Sequence, residues 1–343
     1  MFFLPCGTLW YSICRNMKSV FVTGCAGFIG STLCEQLLKG GYRVIGIDNF
    51  DPFYPRALKA HNLKHSLASL RFKFYEGDIS DKESLNSMDE PVDAVIHIAA
   101  KVGVRPSIYN PGAYISANIS GTQNVLEWMN VRGVKKLVFA SSSSVYGNDT
   151  PVPFSESTSV DSPISPYAFT KKGGELLNYT YHYLYQFDIV NLRFFTVYGE
   201  RQRPDLAIHK FVDAISKKQP ITMYGAGDTS RDYTYVQDTV AGIMGALNYV
   251  LENKNVFETA NLGNSHPVSL KELVDTIYEL MEEKPNIHHE PKQAGDVDIT
   301  FADISKAKRL FGYEPKTNLR DGLKNFITWY NEQQIAVELS TAK

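Results

Sequence analysis

The chain has 343 residues, of which 43% are hydrophobic and 21% charged, and 35 Lys and Arg against 37 Asp and Glu give a net charge of −2. This composition excludes a disordered, fibrous or polyanion-binding protein, and the length suffices for about two domains of ~150 residues with a sizeable core. The 4 Cys have neither the spacing of a zinc pair nor the density of a disulfide framework, so a reducing cytoplasm is the default location.

The first sixteen residues, MFFLPCGTLWYSICRN, are apolar, and Arg15 is their one charged residue. The run is shorter than the ~20 residues that cross a bilayer, and it lacks the basic start of a secretory signal. Met17 then opens MKSVFVTG, a charged residue followed by a strand pattern. We therefore expect 1–16 to be a leader foreign to the fold, from a misplaced start codon, with a disordered tail or weak membrane contact as alternatives. No other apolar run is long enough to span a bilayer, so no stable membrane association is expected.

From Met17 onward, short β-branched runs alternate with amphipathic helical stretches. Such alternation is typical of a doubly wound α/β fold, a parallel sheet covered by helices on both faces. In the first helix, Ile29, Leu33 and Leu37 share one face, and a glycine pair follows its end. We place this domain at 17–195. Its strand candidates are SVFVT, YRVIGID, RFKFYEGD, DAVIHIA, KKLVFAS and DIVNLRFF.

After about position 195 the alternation fades into short strands, glycine-containing turns and a helix that Ser269 opens in SLKELVDTIYELMEE. We expect a smaller mixed α/β lobe over 196–232 and 256–335, with the chain returning to the first domain near 233–255. No linker or repeat separates the two parts. The sequence therefore predicts two closely packed lobes with a cleft between them.

Three glycines, Gly24, Gly27 and Gly30 in VTGCAGFIGS, stand between the first strand and the first helix. Glycines there allow a tight turn and the close approach of backbone to a pyrophosphate at the helix N-terminus. The spacing is GxxGxxG rather than GxGxxG, so a purely structural turn is the alternative. We expect this turn, with Phe28 and Ile29, to bind a dinucleotide.

The ends of the next strands carry further cofactor candidates. Asp48 closes the second strand, where a carboxylate can bind both ribose hydroxyls and repel a 2′-phosphate, which favours NAD over NADP. Asn49 follows it in the same turn. Weaker candidates, which could instead cap a helix or serve packing, are Asp78, Ile79, Ala99 and Ala100.

Tyr167 and Lys171 in SPYAFTKK are four residues apart, so both side chains leave the same face of a helix. A phenol with a pKa near ~10 is a weak base at neutral pH, but a nearby ammonium and a cationic nicotinamide would both favour the phenolate. Upstream, Ser142 in VFASSSSVYG can donate a hydrogen bond to a carbinol or carbonyl oxygen. Together these residues predict acid/base catalysis of an NAD-linked oxidation. A serine–lysine hydrolase would use the same residue types but would leave the glycine turn without a purpose.

With these motifs the chain resembles the extended short-chain dehydrogenase/reductase family, and specifically its nucleotide-sugar 4-epimerases, from Met17 to about Asn331. Asn118 in ANISGTQNVLE matches a family asparagine expected near the cofactor, and Arg231 in GAGDTSRDYTYVQD matches an arginine that meets a nucleotide diphosphate. The resemblance implies tightly held NAD and a UDP-sugar substrate. Tyr167 would take the proton of the sugar 4-hydroxyl, and hydride would pass to NAD. The 4-keto sugar would then turn over and take hydride back on its other face.

The two residues after Ser142 separate the related activities. In the dehydratases that resemble this chain they are Asp-Glu, and in the decarboxylases a Glu stands at the second position. Here they are Ser143 and Ser144, which we expect to contact the substrate. Serine has no ionisable group for either extra step, so both activities are disfavoured.

The segments RFFTVYGERQRPDLA and AGDVDITFADISKAKRLFGYEPKT resemble the subgroup of these epimerases that converts UDP-glucuronate to UDP-galacturonate. Thr196 stands where galactose-type relatives have asparagine, and Arg203 could pair with the sugar carboxylate. With the serines after the fifth strand, such a clamp would keep the β-keto acid formed at carbon 4 from losing CO2. Arg203 could instead contact the diphosphate, and Asp298 stands where the subgroup commonly has proline. A 4-epimerase of UDP-glucose or UDP-N-acetylglucosamine is therefore the alternative.

The resemblance also implies a homodimer built from two helices of each chain, at about 114–132 and 167–185. A non-catalytic NAD-binding scaffold or redox sensor is an alternative of a different class, although such proteins usually lose the catalytic residues.

His61 and His65 share a helix face without a third ligand, so no metal site is predicted. His97 is expected to be buried with both ring nitrogens satisfied. Scattered tyrosines form no platform for nucleic acid, so no nucleic acid partner is expected.

Overall fold

A computed structural model describes residues 17–291 and 299–341, with side chains described to residue 333. The interpretations of residues 1–16 and of Asp298 lie outside these described residues. The first part of the chain alternates strands and helices. In chain order its elements are β1 (Ser19–Thr23), α1 (Phe28–Lys39), β2 (Arg43–Asp48), α2 (Arg56–Leu67), β3 (Phe72–Glu76), α3 (Lys82–Asn86), β4 (Ala94–His97), α4 (Val104–Tyr109), α5 (Pro111–Tyr114), a π-helix (Ile115–Ser120), α6 (Gly121–Val131), β5 (Lys136–Ser142), a 3-10 turn (Ser143–Tyr146), α7 (Pro166–Tyr185) and β6 (Asp188–Phe194).

The second part of the chain has shorter strands. In order, its described elements are β7 (Thr196–Tyr198), α8 (Ala207–Ser216), β8 (Ile221–Tyr224), β9 (Ser230–Tyr235), α9 (Val236–Glu252), β10 (Phe257–Leu262), β11 (Pro267–Ser269), α10 (Leu270–Leu280), β12 (Ile287–Glu290), β13 (Ile299–Thr300), α11 (Ser305–Phe311) and α12 (Leu319–Thr341).

The largest sheet in the described residues has seven parallel strands in the order β3, β2, β1, β4, β5, β6, β10. Its first six follow the strand order of a dinucleotide-binding doubly wound fold. Alternate residues of β1 enter different hydrophobic clusters, Val20 and Val22 one and Phe21 the other. Both faces of the sheet are therefore covered, and the predicted fold class is confirmed.

The return of the chain to this sheet is longer than the sequence indicated. Helix α9 packs against β5, β6 and α1, and the strand after it, β10, pairs with β6 at the sheet edge. The return therefore reaches Leu262, beyond the boundary at 255, because β10 completes its backbone hydrogen bonds on β6. The smaller lobe contains a sheet of β7, β9, β11 and β13 and a separate pair of β8 with β12.

Two local departures from regular helix lie at the carboxyl edge of the large sheet. The π-helix of Ile115–Ser120 interrupts what the sequence indicated as one helix, and such turns are frequent at functional sites. After β5, Ser142 caps the 3-10 turn by accepting a hydrogen bond from the Ser144 N–H, at 3.2 Å. These segments hold two groups of predicted site residues next to the N-terminus of α7.

Candidate active site

The glycine turn between β1 and α1 has a shape that side chains would prevent. Gly24 has φ +72, and a Cβ there would lie 2.8 Å from the backbone nitrogen of Ala99. A Cβ on Gly30 would collide with the carbonyl oxygen of Gly24. Helix α1 begins after Gly27 without a side-chain cap, so no side chain competes for its first N–H groups.

This turn forms one wall of a cavity of about 330 Å³. The cavity brings together most of the predicted cofactor residues from four strand ends of the large sheet. Those that line it are Gly24, Gly27, Phe28, Ile29, Gly30, Asp48, Asn49, Asp78, Ile79, Ala99 and Ala100. A crevice at the carboxyl ends of parallel strands is where doubly wound folds bind dinucleotides.

Two carboxylates stand in this cavity in different surroundings. Asp48 is buried, which raises its pKa, although its oxygens accept hydrogen bonds from the N–H groups of Ala26 (3.1 Å) and Phe50 (2.8 Å). For Asp78, burial opposes ionisation, but hydrogen bonds from Ser80 and Asn49 lower its pKa. Both therefore have fixed orientations and can accept hydrogen bonds from a ligand.

The other side of the cavity is formed by residues that the sequence did not single out. Lys101 Nζ pairs with Asp51 Oδ2 at 2.7 Å, and Lys59 Nζ donates to the Asp51 carbonyl at 2.7 Å. Phe53 and Tyr54 complete this cover, and the buried Tyr54 hydroxyl has no hydrogen-bond partner among the described residues. Asp51, Phe53, Tyr54 and Lys101 belong to irregular loops, and only their position after β2 and β4 could have indicated a role, whereas Lys59 lies in the first turn of α2.

Ser142, Tyr167 and Lys171 are brought together beside the cavity. The Tyr167 hydroxyl shares a hydrogen bond with Ser142, and burial raises the pKa of Tyr167 while Ser142 and Arg203 lower it. Lys171 Nζ donates to the Ala140 carbonyl at 2.7 Å and lies 5.9 Å from the centre of the Tyr167 ring. Burial lowers the pKa of Lys171 to about 8.

Asn118, like Tyr167 and Lys171, is not among the residues that line the cavity, and its role as a cofactor contact stays a prediction. Its Oδ1 accepts from the Lys101 N–H at 2.7 Å, and its Nδ2 donates to the Lys101 carbonyl (3.0 Å) and to Thr170 Oγ1 (2.9 Å). Because the π-helix turns this side chain inward, the amide is occupied by protein groups. Through these hydrogen bonds, Asn118 links helix α7 to the loop that follows β4.

Among the predicted sugar contacts, Ser142 and Arg203 lie close enough to Tyr167 to lower its pKa. Arg203 lines the cavity, with its guanidinium 5.4 Å from the centre of the Phe53 ring, and forms a bidentate pair with Asp205 at 2.9 and 2.8 Å. Ser144 Oγ is buried without a hydrogen-bond partner in the described residues. Ser143 follows Ser142 in the 3-10 turn, and Thr196 begins β7.

Arg231 lies apart from this group. It lines a second cavity of about 520 Å³ with Arg105, Asp205, Lys210 and Tyr233. Its Nη1 donates to the Ser230 carbonyl at 2.9 Å. Asp205 lines this second cavity, and its partner Arg203 lines the first. A ligand with two ends could therefore span the two cavities past Arg203.

The remaining histidine that the sequence singled out, His97, is held by hydrogen bonds inside the protein. His97 is buried, with Nδ1 2.7 Å from Thr23 Oγ1 and Nε2 3.0 Å from Thr122 Oγ1, as predicted. Within 17–291 and 299–341, no group of His, Cys, Asp and Glu has the arrangement of a metal site. Over the same ranges, none of the helices combines the length and hydropathy that crossing a bilayer requires.

The strand order, the glycine turn and the serine, tyrosine and lysine group define a dinucleotide-binding protein of the short-chain dehydrogenase/reductase class. Residues 21–326 match the family model described as GDP-mannose 4,6 dehydratase. The chain belongs to this family, within the extended short-chain dehydrogenases/reductases.

Several relatives of this chain have assigned activities. A UDP-glucuronate 4-epimerase of Thermodesulfobacterium geofontis (strain OPF15) is 44% identical over 319 residues, which cover 92% of this chain and 97% of that protein. The structure of the UDP-glucuronic acid 4-epimerase from Bacillus cereus in complex with UDP-glucuronic acid and NAD has a TM-score of 0.85 and 35% identity, covering 92% and 99% of the two chains. The UDP-glucose 4-epimerase of Thermotoga maritima with UDP-glucose has a TM-score of 0.83 and 30% identity, with the same coverage of 92% and 99%.

Proposed function

We propose that this chain is an NAD-dependent UDP-sugar 4-epimerase that interconverts UDP-glucuronate and UDP-galacturonate through a 4-keto sugar. The observation that carries the proposal is Arg203, which lies beside Tyr167 between the two cavities. A cation beside the residue that deprotonates the 4-hydroxyl can pair with the carboxylate at carbon 6 of an acidic sugar.

The first cavity fits NAD. Gly24 and Gly30 leave room for a pyrophosphate at the start of α1, and Asp48 can accept the two hydroxyls of an unphosphorylated ribose. When bound there, NAD supplies a reversible hydride acceptor for carbon 4 of the sugar. Lys101 and Asp51 close the cavity from the opposite side.

Tyr167 is proposed to move the proton of the sugar 4-hydroxyl. Its pKa is raised by burial, and the Ser142 hydroxyl and the Arg203 charge favour its ionised form. Ser142 can donate to the same sugar oxygen as the 4-keto group forms. Lys171 adds a second cation, fixed by the Ala140 carbonyl.

The sugar carboxylate is proposed to lie against Arg203, Thr196 and the serines of the 3-10 turn. The unpartnered Ser144 hydroxyl is a ready donor, and neither of the two residues directly after Ser142 is acidic, so neither can assist elimination or loss of CO2. To bind the carboxylate, Arg203 would release Asp205. The second cavity, with Arg231, is proposed to hold the uridine diphosphate end.

We further propose that the first lobe (17–195 with the returning segment) binds NAD, that the smaller lobe binds the nucleotide sugar, and that two chains form a homodimer through α6 and α7. Phe169, Leu176 and Tyr183 follow one another at intervals of seven along α7 and are 49%, 56% and 75% exposed. An apolar stripe of this kind suits a helix bundle with a second copy.

Cys25 and Cys34 are free thiols, which supports a cytoplasmic location.

The test is incubation of the purified protein with UDP-glucuronate, followed by separation of the two epimers. Conversion to UDP-galacturonate supports the proposal. Faster conversion of UDP-glucose or UDP-N-acetylglucosamine would replace the substrate assignment. No conversion of any UDP-sugar by protein that contains NAD would favour a non-catalytic scaffold.

A further inference from the structure

A third side chain follows Tyr167 and Lys171 on the same face of α7. Glu175 is four residues beyond Lys171 and 5% exposed. Its Oε1 accepts hydrogen bonds from Ser141 Oγ (2.6 Å) and Arg193 Nε (2.9 Å), and its Oε2 accepts from Arg193 Nη2 at 2.8 Å. Glu175 is thus held in a buried, bidentate ion pair.

The two residues that hold Glu175 are neighbours in the large sheet. Ser141 on β5 is paired directly with Arg193 on β6. Ala140, Ser141 and Ser142 are consecutive in β5, and α7 binds all three: Lys171 holds the Ala140 carbonyl, Glu175 the Ser141 hydroxyl and Tyr167 the Ser142 side chain. Glu175 therefore fixes α7 to the strand end that presents Ser142.

Arg193 also supports the segment that carries the other predicted sugar contacts. Its guanidinium carbon lies 4.9 Å from the centre of the Tyr146 ring, and Tyr146 is the last residue of the 3-10 turn that contains Ser143 and Ser144. The Tyr146 hydroxyl donates to Asn261 Oδ1 at 2.7 Å. One ion pair therefore contacts both elements that must converge on the sugar.

A buried ion pair contributes little net stability, because desolvation of the two charges offsets their attraction, but it fixes geometry through directional hydrogen bonds. We propose that the Glu175–Arg193 pair is a positioning element of the active site, which sets the separation between the Tyr167 hydroxyl and the serines that follow β5. This inference rests on the proposed epimerase function.

The direct test is Glu175→Gln. The amide can still accept from Ser141 but cannot form the charged bidentate pair, so α7 and the 3-10 turn lose their common contact. Because displacements of about 1 Å can cost ~10²-fold in rate, we expect kcat to fall about 10- to 100-fold. The NAD content should change less than threefold because the glycine turn is not touched, and the KM for the UDP-sugar should rise by a smaller factor than kcat falls because Arg203 is still in place.

The matched control is another buried bridge between α7 and β6, further from Tyr167. Asn178 Nδ2 donates to Asn191 Oδ1 at 2.7 Å, and both residues are buried. Asn178→Ala should lower the melting temperature without lowering kcat per folded, NAD-containing molecule. If Glu175→Gln does not fold, Glu175→Gln/Arg193→Met removes both charges and should fold with the same loss of kcat.

Equal kcat in wild type and the Glu175 variants would overturn the inference, as would parallel losses of kcat in the Glu175 and Asn178 variants. Epimerisation by the wild type is measured first with the same protein. A wild type without activity on any UDP-sugar would overturn the proposed function instead.

Discussion

Arg203 lies close enough to Tyr167 that its positive charge lowers the pKa of the Tyr167 hydroxyl, in opposition to the effect of burial. The same guanidinium is held by Asp205 and stacks near Phe53 at the edge of the first cavity. Arg203 can therefore act on every substrate through Tyr167 and on acidic substrates through direct pairing. Experiments on Arg203 must separate these two effects.

Arg203→Ala should change the choice between substrates. Loss of a charged hydrogen-bonded pair should lower kcat/KM for UDP-glucuronate at least ~10-fold more than for UDP-glucose, because only the acidic sugar loses a partner. The decrease common to both substrates reports the effect on Tyr167. Arg201→Ala is the control, because Arg201 pairs with Glu35 instead, at 2.6 Å. Equal losses with both sugars would assign Arg203 to the diphosphate.

Tyr167→Phe should fold and retain NAD but turn over at least ~100-fold more slowly, because general acid/base groups typically contribute 10²–10⁴-fold. Initial rates with UDP-glucuronate and the NAD content of the purified variant check this. Full activity in the variant would show that another group moves the proton.

Gly24→Ala should greatly reduce the NAD content. The new Cβ would lie 2.8 Å from the Ala99 backbone nitrogen in a conformation with φ +72. Gly41→Ala is the matched control, since Gly41 has φ +87 but a Cβ there meets nothing within 4 Å. Both variants should lose about 1–2 kcal/mol of unfolding free energy from backbone strain, and Gly24→Ala should lose more because of its contact with Ala99. Unchanged NAD affinity in Gly24→Ala would argue that the turn is purely structural.

Leu176→Glu should prevent formation of the proposed dimer, because it places a charge in the exposed apolar stripe of α7. Leu70→Glu provides the control, because Leu70 is 100% exposed and lies outside the two helices. Sedimentation or light scattering gives the mass of each variant. A wild-type monomer, or a dimer that survives Leu176→Glu, would contradict the assignment of this surface.

Acidification should destabilise the fold, because the buried His97 resists protonation. Its pKa is lowered by burial to about 3, below the ~6.5 of an unfolded histidine, so the unfolded chain binds more protons between these values. The contribution of His97 to the free energy of unfolding is fully present above pH ~6.5 and decreases as the pH falls. At pH ~5 the decrease amounts to about 2 kcal/mol. His97→Gln should remove this part of the pH dependence of unfolding by denaturant. An identical dependence in both proteins would show that His97 does not titrate in this way.

Regular elements and the glycine turn could be predicted from the sequence because their signals are local. The first six strands begin and end within two residues of the β-branched runs that predicted them. Strand β10 escaped prediction because its place in the sheet depends on pairing with β6, which is remote in sequence. Tyr54 and Lys101 escaped because loops carry no periodicity. Asn118 was assigned by its place in a motif, and its hydrogen bonds to Lys101 and Thr170 could not be predicted because they join segments remote in sequence.

The π-helix at Ile115–Ser120 makes this part of the chain sensitive to length as well as to composition. Each residue of a helix advances the side chains by about 100°, and Asn118 reaches both Lys101 and Thr170 only from its present angle. Removal of one residue here would convert the π turn into regular α-helix, because a π turn holds one residue more than an α turn, and Asn118 would lose its present angle. A single-codon deletion would thus detach the loop after β4 from α7 without changing the chemistry of any remaining side chain.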